Sequence, residues 1–174
     1  MQCNTNYTAS SENFNYINLN VLKLFKNKFN SALLGLSDHT LGHETVLGAI
    51  ALGARIIEKH FTDDNNRNGP DHKFSMNPKT WKEMIYRSRN LEKALGDGKK
   101  IVEKNELNTV ILQRRAIRVN KDFKKGEKLK KIFLEFLRPC PKDAIPCYDV
   151  NKILNKKFLK KIKKNDYIKK KFFK

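Results

Sequence analysis

The sequence predicts an α/β protein in two parts: alternating strands and helices over residues 1–100, then a mostly β module over 114–174, joined by a linker over 101–113. Three observations carry that prediction. In the first hundred residues the apolar positions switch between strand and helix periods in the order strand end, helix, strand, helix, strand, helix, which implies parallel strands with right-handed crossovers. Near residue 100 the composition turns lysine-rich and the apolar runs become short, with a Lys124-Lys125-Gly126-Glu127 turn between them. Hydrophobic residues at 39% and aromatics at 10% are enough for a packed core.

Each element has its own signal. Phe14, Ile17, Val21, Leu22, Phe25 and Phe29 recur at helical spacing and predict a helix from about 12 to 28. "ALLGLSDH" (32–39) is apolar and then polar, as in a buried strand ending at a site. Val46, Leu47, Ile50 and Ala51 predict a second helix over 43–53, closed by Gly53. "RIIEKHF" (55–61) is another strand. Asn77 followed by Pro78 is a helix start, Trp81, Met84, Ile85, Ser88 and Leu91 mark one face, and Gly96 is a stop. In the second part, 116–120, 122–129 and 132–139 predict short strands, and 148–154 a short helix.

Composition narrows the function classes. No apolar run approaches the ~20 residues of a membrane-spanning helix, and the N-terminus lacks the basic-then-apolar pattern of a secretory signal. The three cysteines, Cys3, Cys140 and Cys147, form no CxxC pair. A reduced, cytoplasmic protein without membrane partners is the expectation. The net charge of +19 invites a nucleic-acid partner, and residues 121–174 hold 19 basic against 6 acidic residues. The excess is lysine rather than arginine, 29 against 8. Arginine forks usually carry phosphate and base recognition, so nucleic acid is not the expected partner.

All four histidines, His39, His43, His60 and His72, fall within residues 39–72. Side chains on a strand alternate faces, so Ser37 and His39 share one face of the first strand, and Glu58 and His60 share one face of the second. Carboxyl ends of parallel strands are where α/β proteins build sites. With strands ~4.8 Å apart, His39 and His60 could bring ring nitrogens to one metal ion at ~2.1 Å. Spacing alone leaves a second reading open, in which both are hydrogen-bonded packing residues. Asp63, Asp64 and His72 read as solvated loop residues, and Gly69-Pro70 as a turn.

Five ordered motifs, "GLSDHTLGH", "ALGARIIEKHFT", "GPDHKFSMNP", "LEKALGDG" and "QRRAIRVNKDFKKGE…FLRP", preceded by "QCNTNYTA", closely resemble the N-acetylneuraminate (sialic acid) synthase family. The resemblance covers nearly the whole chain. It implies a (β/α)8 TIM barrel, present here as its C-terminal part of about three βα units, followed by a small antifreeze-like (SAF) domain. It also implies condensation of phosphoenolpyruvate with an N-acetylmannosamine-like amino sugar, assisted by a divalent metal, commonly manganese. By matching position, His39 and His60 are the implied metal pair. Ser37, Tyr7 and Thr5 line the phosphoenolpyruvate side, and Glu58 and Asp71 lie near the amino sugar as catalytic carboxylates. Arg138 matches the arginine with which the SAF domain of a domain-swapped homodimer reaches the neighbouring subunit's site. Cys140 stands where the family usually has glycine after the Arg-Pro.

A whole barrel needs ~250 residues, whereas the barrel-like part here is about 100. The resemblance starts at the end of strand six, so the first five βα units, with most of the groups that hold phosphoenolpyruvate, are not in this sequence. The expectation is a chain inactive alone, completed by an N-terminal half in trans or by further chain. A stand-alone carbohydrate-binding or basic SAF module is the alternative.

Overall fold

Three short parallel strands organise the first part of the molecule. The structure, a computed structural model, describes residues 1–173. The chain divides into two compact units, Met1–Lys99 and a second beginning at Lys100.

In the first unit, strands β1 (Gln2–Cys3), β2 (Gly35–Asp38) and β3 (Ile56–Lys59) lie side by side in that order, all parallel. Helices α1 (Val21–Lys28), α2 (Glu44–Ala51) and α3 (Pro78–Leu95) accompany them. Leu22, Leu36, Val46, Ala49, Met76 and Met84 form the heart of one apolar core. A Cβ on Gly35 would stand 2.9 Å from the Ile56 carbonyl oxygen and 3.2 Å from the Ile56 Cβ. Glycine is therefore what lets β2 and β3 approach where their pairing begins.

The helix expected over 12–28 is two pieces. A 3₁₀ turn spans Ser11–Tyr16, capped by the Ser10 side chain, which accepts from the Glu12 amide. Asn18 then takes φ 49°, the left-handed region that asparagine tolerates better than most residues, and α1 starts only at Val21. Ile17 and Leu22 still enter the same core and Phe25 packs against it, whereas Phe14 and Phe29 are exposed, so the apolar spacing identified part of the buried face and not the break. The two later helices follow their signals. Gly53 takes φ 99° just beyond α2. Asn77 and Thr80 form a reciprocal capping box at the start of α3, with Pro78 in its first turn, and Gly96 at φ 60° follows its end.

The second unit has little regular structure. Strands β4 (Ala116–Val119) and β5 (Leu134–Leu137) pair antiparallel, and the rest is tied by isolated bridges such as Lys128 with Lys157 and Phe158 with Phe173. The strand expected over 122–129 is not formed. Gly126 takes φ 86°, and the Glu127 carboxylate accepts the Lys124 amide, which closes a turn where a strand would stay open. Phe123 anchors this segment through paired backbone bonds with Ile162, 2.8 and 3.0 Å long. The strand expected over 132–139 shortens to β5 because Lys131–Phe133 is a 3₁₀ turn. Another 3₁₀ turn, Cys147–Lys152, stands near the expected short helix. Residues 101–113 carry a turn at Lys104–Glu106 and the four-residue helix α4 (Val110–Gln113). Ile117, Val119, Phe123, Leu129, Ile145, Phe158, Ile162 and Ile168 build a core separate from that of the first unit. No described helix is long and apolar enough to cross a membrane.

Candidate functional site

The β2–β3 register sets the site. Ser37 pairs with Glu58 and Asp38 with Lys59, so His39 and His60 each follow immediately after the last paired residue. Alternation sends Ser37, Glu58 and both histidines to one face of the sheet. Ser37 Oγ donates to Glu58 Oε2 at 2.7 Å. The histidine rings lie 5.0 Å apart, centroid to centroid, tilted by 69°. Tyr7 packs against them at an angle, ring centroids 4.3 Å from His39 and 5.4 Å from His60. Phe74, buried, closes the cluster at 5.1 Å from His60.

His39 is held by a hydrogen bond and His60 faces a carboxylate. His39 Nδ1 lies 2.8 Å from the Asn4 carbonyl oxygen. A carbonyl only accepts, so Nδ1 carries the proton, and in the neutral ring Nε2 then keeps its lone pair. His60 Nδ1 stands 3.5 Å from Asp71 Oδ2, longer than an ordinary hydrogen bond. Imidazole metal ligands are usually oriented by such a partner on the second nitrogen. Two imidazoles on one ion at ~2.1 Å have centroids within roughly 6.5 Å of each other, and this pair meets that limit. The chemistry of these donors therefore fits a divalent metal. The described residues contain no cluster of three or more His, Cys, Asp and Glu side chains suited to metal, so the pair would supply two positions and leave the rest to water, substrate or further chain.

Of the eight residues singled out by sequence, His39, His60, Ser37, Glu58, Asp71 and Tyr7 converge here. Thr5 is exposed in the segment whose Asn4 carbonyl meets His39. Arg138 belongs to the second unit, exposed just after β5. The loop behind β3 is internally braced. Asn65 Nδ2 donates to the carbonyls of His72 and Ser75 at 2.7 and 2.8 Å, and Asn77 Nδ2 donates to Asn65 Oδ1 at 2.8 Å, tying the loop to the start of α3. His72 is engaged with Thr62, Nδ1 to Oγ1 at 2.7 Å. Asp63 is exposed beside Arg67, whose hydrogen bond holds its carboxyl below the usual range.

Three contributors escaped the sequence reading. Asn4 and Phe74 carry no motif signal of their own. The third is a buried ion pair on the opposite, helix-facing side of the same strands: Lys59 Nζ lies 2.5 Å from Asp38 Oδ2, with side chains 1% and 0% exposed. The signal was present, since opposite charges at adjacent strand ends fell on positions that alternation sends inward.

Histidines and carboxylates gathered at the carboxyl ends of parallel strands mark an α/β protein with a candidate site at that edge. The comparisons make this specific. The family model described as the NeuB family matches residues 1–100. The chain is 42% identical over 127 residues to the N,N'-diacetyllegionaminic acid synthase of Campylobacter jejuni, covering 73% of this chain and 37% of that protein. It is 39% identical over 139 residues to the enzyme of the same name from Legionella pneumophila, covering 80% and 38%. The crystal structure of a spore coat polysaccharide biosynthesis protein E from Chromobacterium violaceum aligns over 99% of this chain and 51% of its own, with TM-score 0.66 at 19% identity, a likeness of fold. This chain belongs to the NeuB family. It spans less than two-fifths of the length of these two synthases.

Proposed function

We propose that this chain provides one wall of a nonulosonic-acid synthase. In this reading residues 1–100 are the last βα units of a (β/α)8 barrel and 114–174 an SAF domain. The reaction condenses phosphoenolpyruvate with an N-acetylated amino sugar. Carbon 3 of the enol attacks the sugar aldehyde, water adds at carbon 2, and phosphate leaves. The observation that carries this reading is the convergence of His39 and His60 at the strand ends, with His39 Nε2 freed by the Asn4 carbonyl.

A divalent ion, of which manganese is the proposed one, would be held by the two imidazoles and would supply a Lewis acid for the sugar carbonyl. The chain's own groups do the rest. Asp71 keeps the His60 ring turned toward the site. Glu58, exposed at the end of β3, would accept a sugar hydroxyl or move a proton beside the bond that it accepts from Ser37. Ser37 now donates to Glu58, so a phosphoenolpyruvate oxygen must compete with that carboxylate for the Ser37 proton. Tyr7, 55% exposed, covers the histidine pair from the open side. Arg138 would act on the site of a neighbouring subunit in a dimer.

Turnover requires the remaining βα units, supplied by further chain or by a second polypeptide. The test is co-expression with the missing barrel units from a relative, followed by phosphate release from phosphoenolpyruvate with N-acetylmannosamine or a diacetamido sugar. Manganese-dependent release is expected, and His39→Ala and His60→Ala should each abolish it. A well-folded complex that stays inactive, or an unchanged metal requirement in both variants, overturns the reading.

A further inference from the structure

We propose that the buried Lys59–Asp38 pair is the positioning device of this site, setting His39 and His60 at their mutual distance from the far side of the sheet. The inference rests on the reading of the two histidines as a pair that acts together.

The geometry is specific. Lys59 Nζ donates to Asp38 Oδ2 at 2.5 Å and to the Thr40 carbonyl at 2.7 Å. Asp38 and Thr40 are the residues on either side of His39, and Lys59 is the residue before His60. One ammonium therefore grips the chain on both sides of one histidine and belongs to the residue next to the other. The Asp38 carboxylate is filled from three further donors: the Thr40 amide at 3.2 Å, Thr40 Oγ1 at 2.9 Å and Thr45 Oγ1 at 2.6 Å. Thr45 stands in the first turn of α2, so the network joins β2, β3 and a helix. Asp38, Thr40, Thr45 and Lys59 are all buried.

Stability alone does not account for such a pair. Apolar side chains of similar volume at both positions are usually as stable as a buried ion pair, because desolvation offsets the Coulombic gain. What apolar side chains lack is direction. The network fixes the ends of β2 and β3 in register and rotation at the point where regular pairing stops. His39 needs that constraint, since a small rotation of its backbone would break the bond to the Asn4 carbonyl that selects its tautomer.

The experiment uses the full chain and reads the imidazoles by NMR: the Nδ1–H resonance of His39 and the cross-relaxation between the two rings. The variants are Asp38→Leu with Lys59→Met, which removes both charges together, and Thr45→Val, which removes one donor. The double variant should melt within a few degrees of the parent yet lose the protected His39 Nδ1–H signal and the inter-ring contact. Thr45→Val should shift both signals in the same direction by a smaller amount. Titration with Mn²⁺ should show affinity reduced about 10–100-fold in the double variant. A folded double variant with parental imidazole signals overturns the proposal. Should the double variant not fold, Thr45→Val decides, and parental signals there overturn it equally. A parent chain that binds no Mn²⁺ but whose imidazole signals still respond to these variants counts against the metal reading and supports the positioning role.

Discussion

Lys59 is buried against Asp38 where the sheet meets its helices, and removing it alone is costly. Lys59→Met alone leaves the Asp38 carboxylate buried without its ammonium, and denaturant unfolding should show a loss of about 3–5 kcal/mol. Exposed carboxylates behave differently, because solvent screens them. In the second unit, Asp122 is held below the usual carboxylate range by the Lys164 amide and Lys163, Glu127 by the Lys124 amide, and Asp143 by Lys169. Each binds its proton less readily folded than unfolded. Their support is therefore complete above about pH 4–5 and is lost as pH falls through the lowered values. Thermal melts followed by signals of the second unit should show its midpoint dropping between pH 5 and pH 3, and Asp122→Asn should flatten that acid limb. These residues also show what a sequence reveals at this scale. His39 and His60 were legible because alternation and strand-end position are local facts. Asn4 and Phe74 were not, since a backbone carbonyl and a lone aromatic acquire meaning only through what faces them.

Among the elements, the pairing of β2 with β3 matters most, because it sets every distance in the site. Gly35 stands at its first rung, with no room for a Cβ beside the Ile56 carbonyl. Gly35→Ala should push the strands apart, cost about 1–3 kcal/mol, and disturb Ser37–Glu58 two residues on; unfolding midpoints measured in parallel with His39 resonances check both effects. Helices α2 and α3 were legible because their stops are chemical: Gly53 and Gly96 adopt positive φ, and Asn77 with Thr80 caps α3. The first helix was over-read because periodicity is silent about Asn18 turning the chain between Ile17 and Leu22, which enter one core. The 122–129 segment was over-read for a related reason. Its apolar anchors Phe123 and Leu129 are buried as a strand's would be, and its backbone meets residues 156–162 at isolated bridges, but the turn closed by Glu127 interrupts a continuous ladder.

For the whole molecule, net charge and the open edges of the sheet set the expectations. The net charge of +19 will produce non-specific binding to duplex DNA at low salt, and that binding should weaken steeply between 50 and 200 mM salt and show no sequence preference. Filter binding across that range checks it, and sequence-selective binding that survives 200 mM salt would make nucleic acid a real partner. The three strands of the first unit leave β1 and β3 each with one neighbour in the sheet, a pattern that a closed barrel would complete. By itself the sequence determined the α/β order, the two later helices, the histidine pair and the family, because periodicity, capping chemistry and ordered motifs are properties of neighbouring residues. Tertiary structure alone decided the register that joins Ser37 to Glu58, the tautomer of His39 and the burial of Lys59 against Asp38. Each of those depends on atoms far apart in the chain and close in space, and only folding brings them to bonding distance.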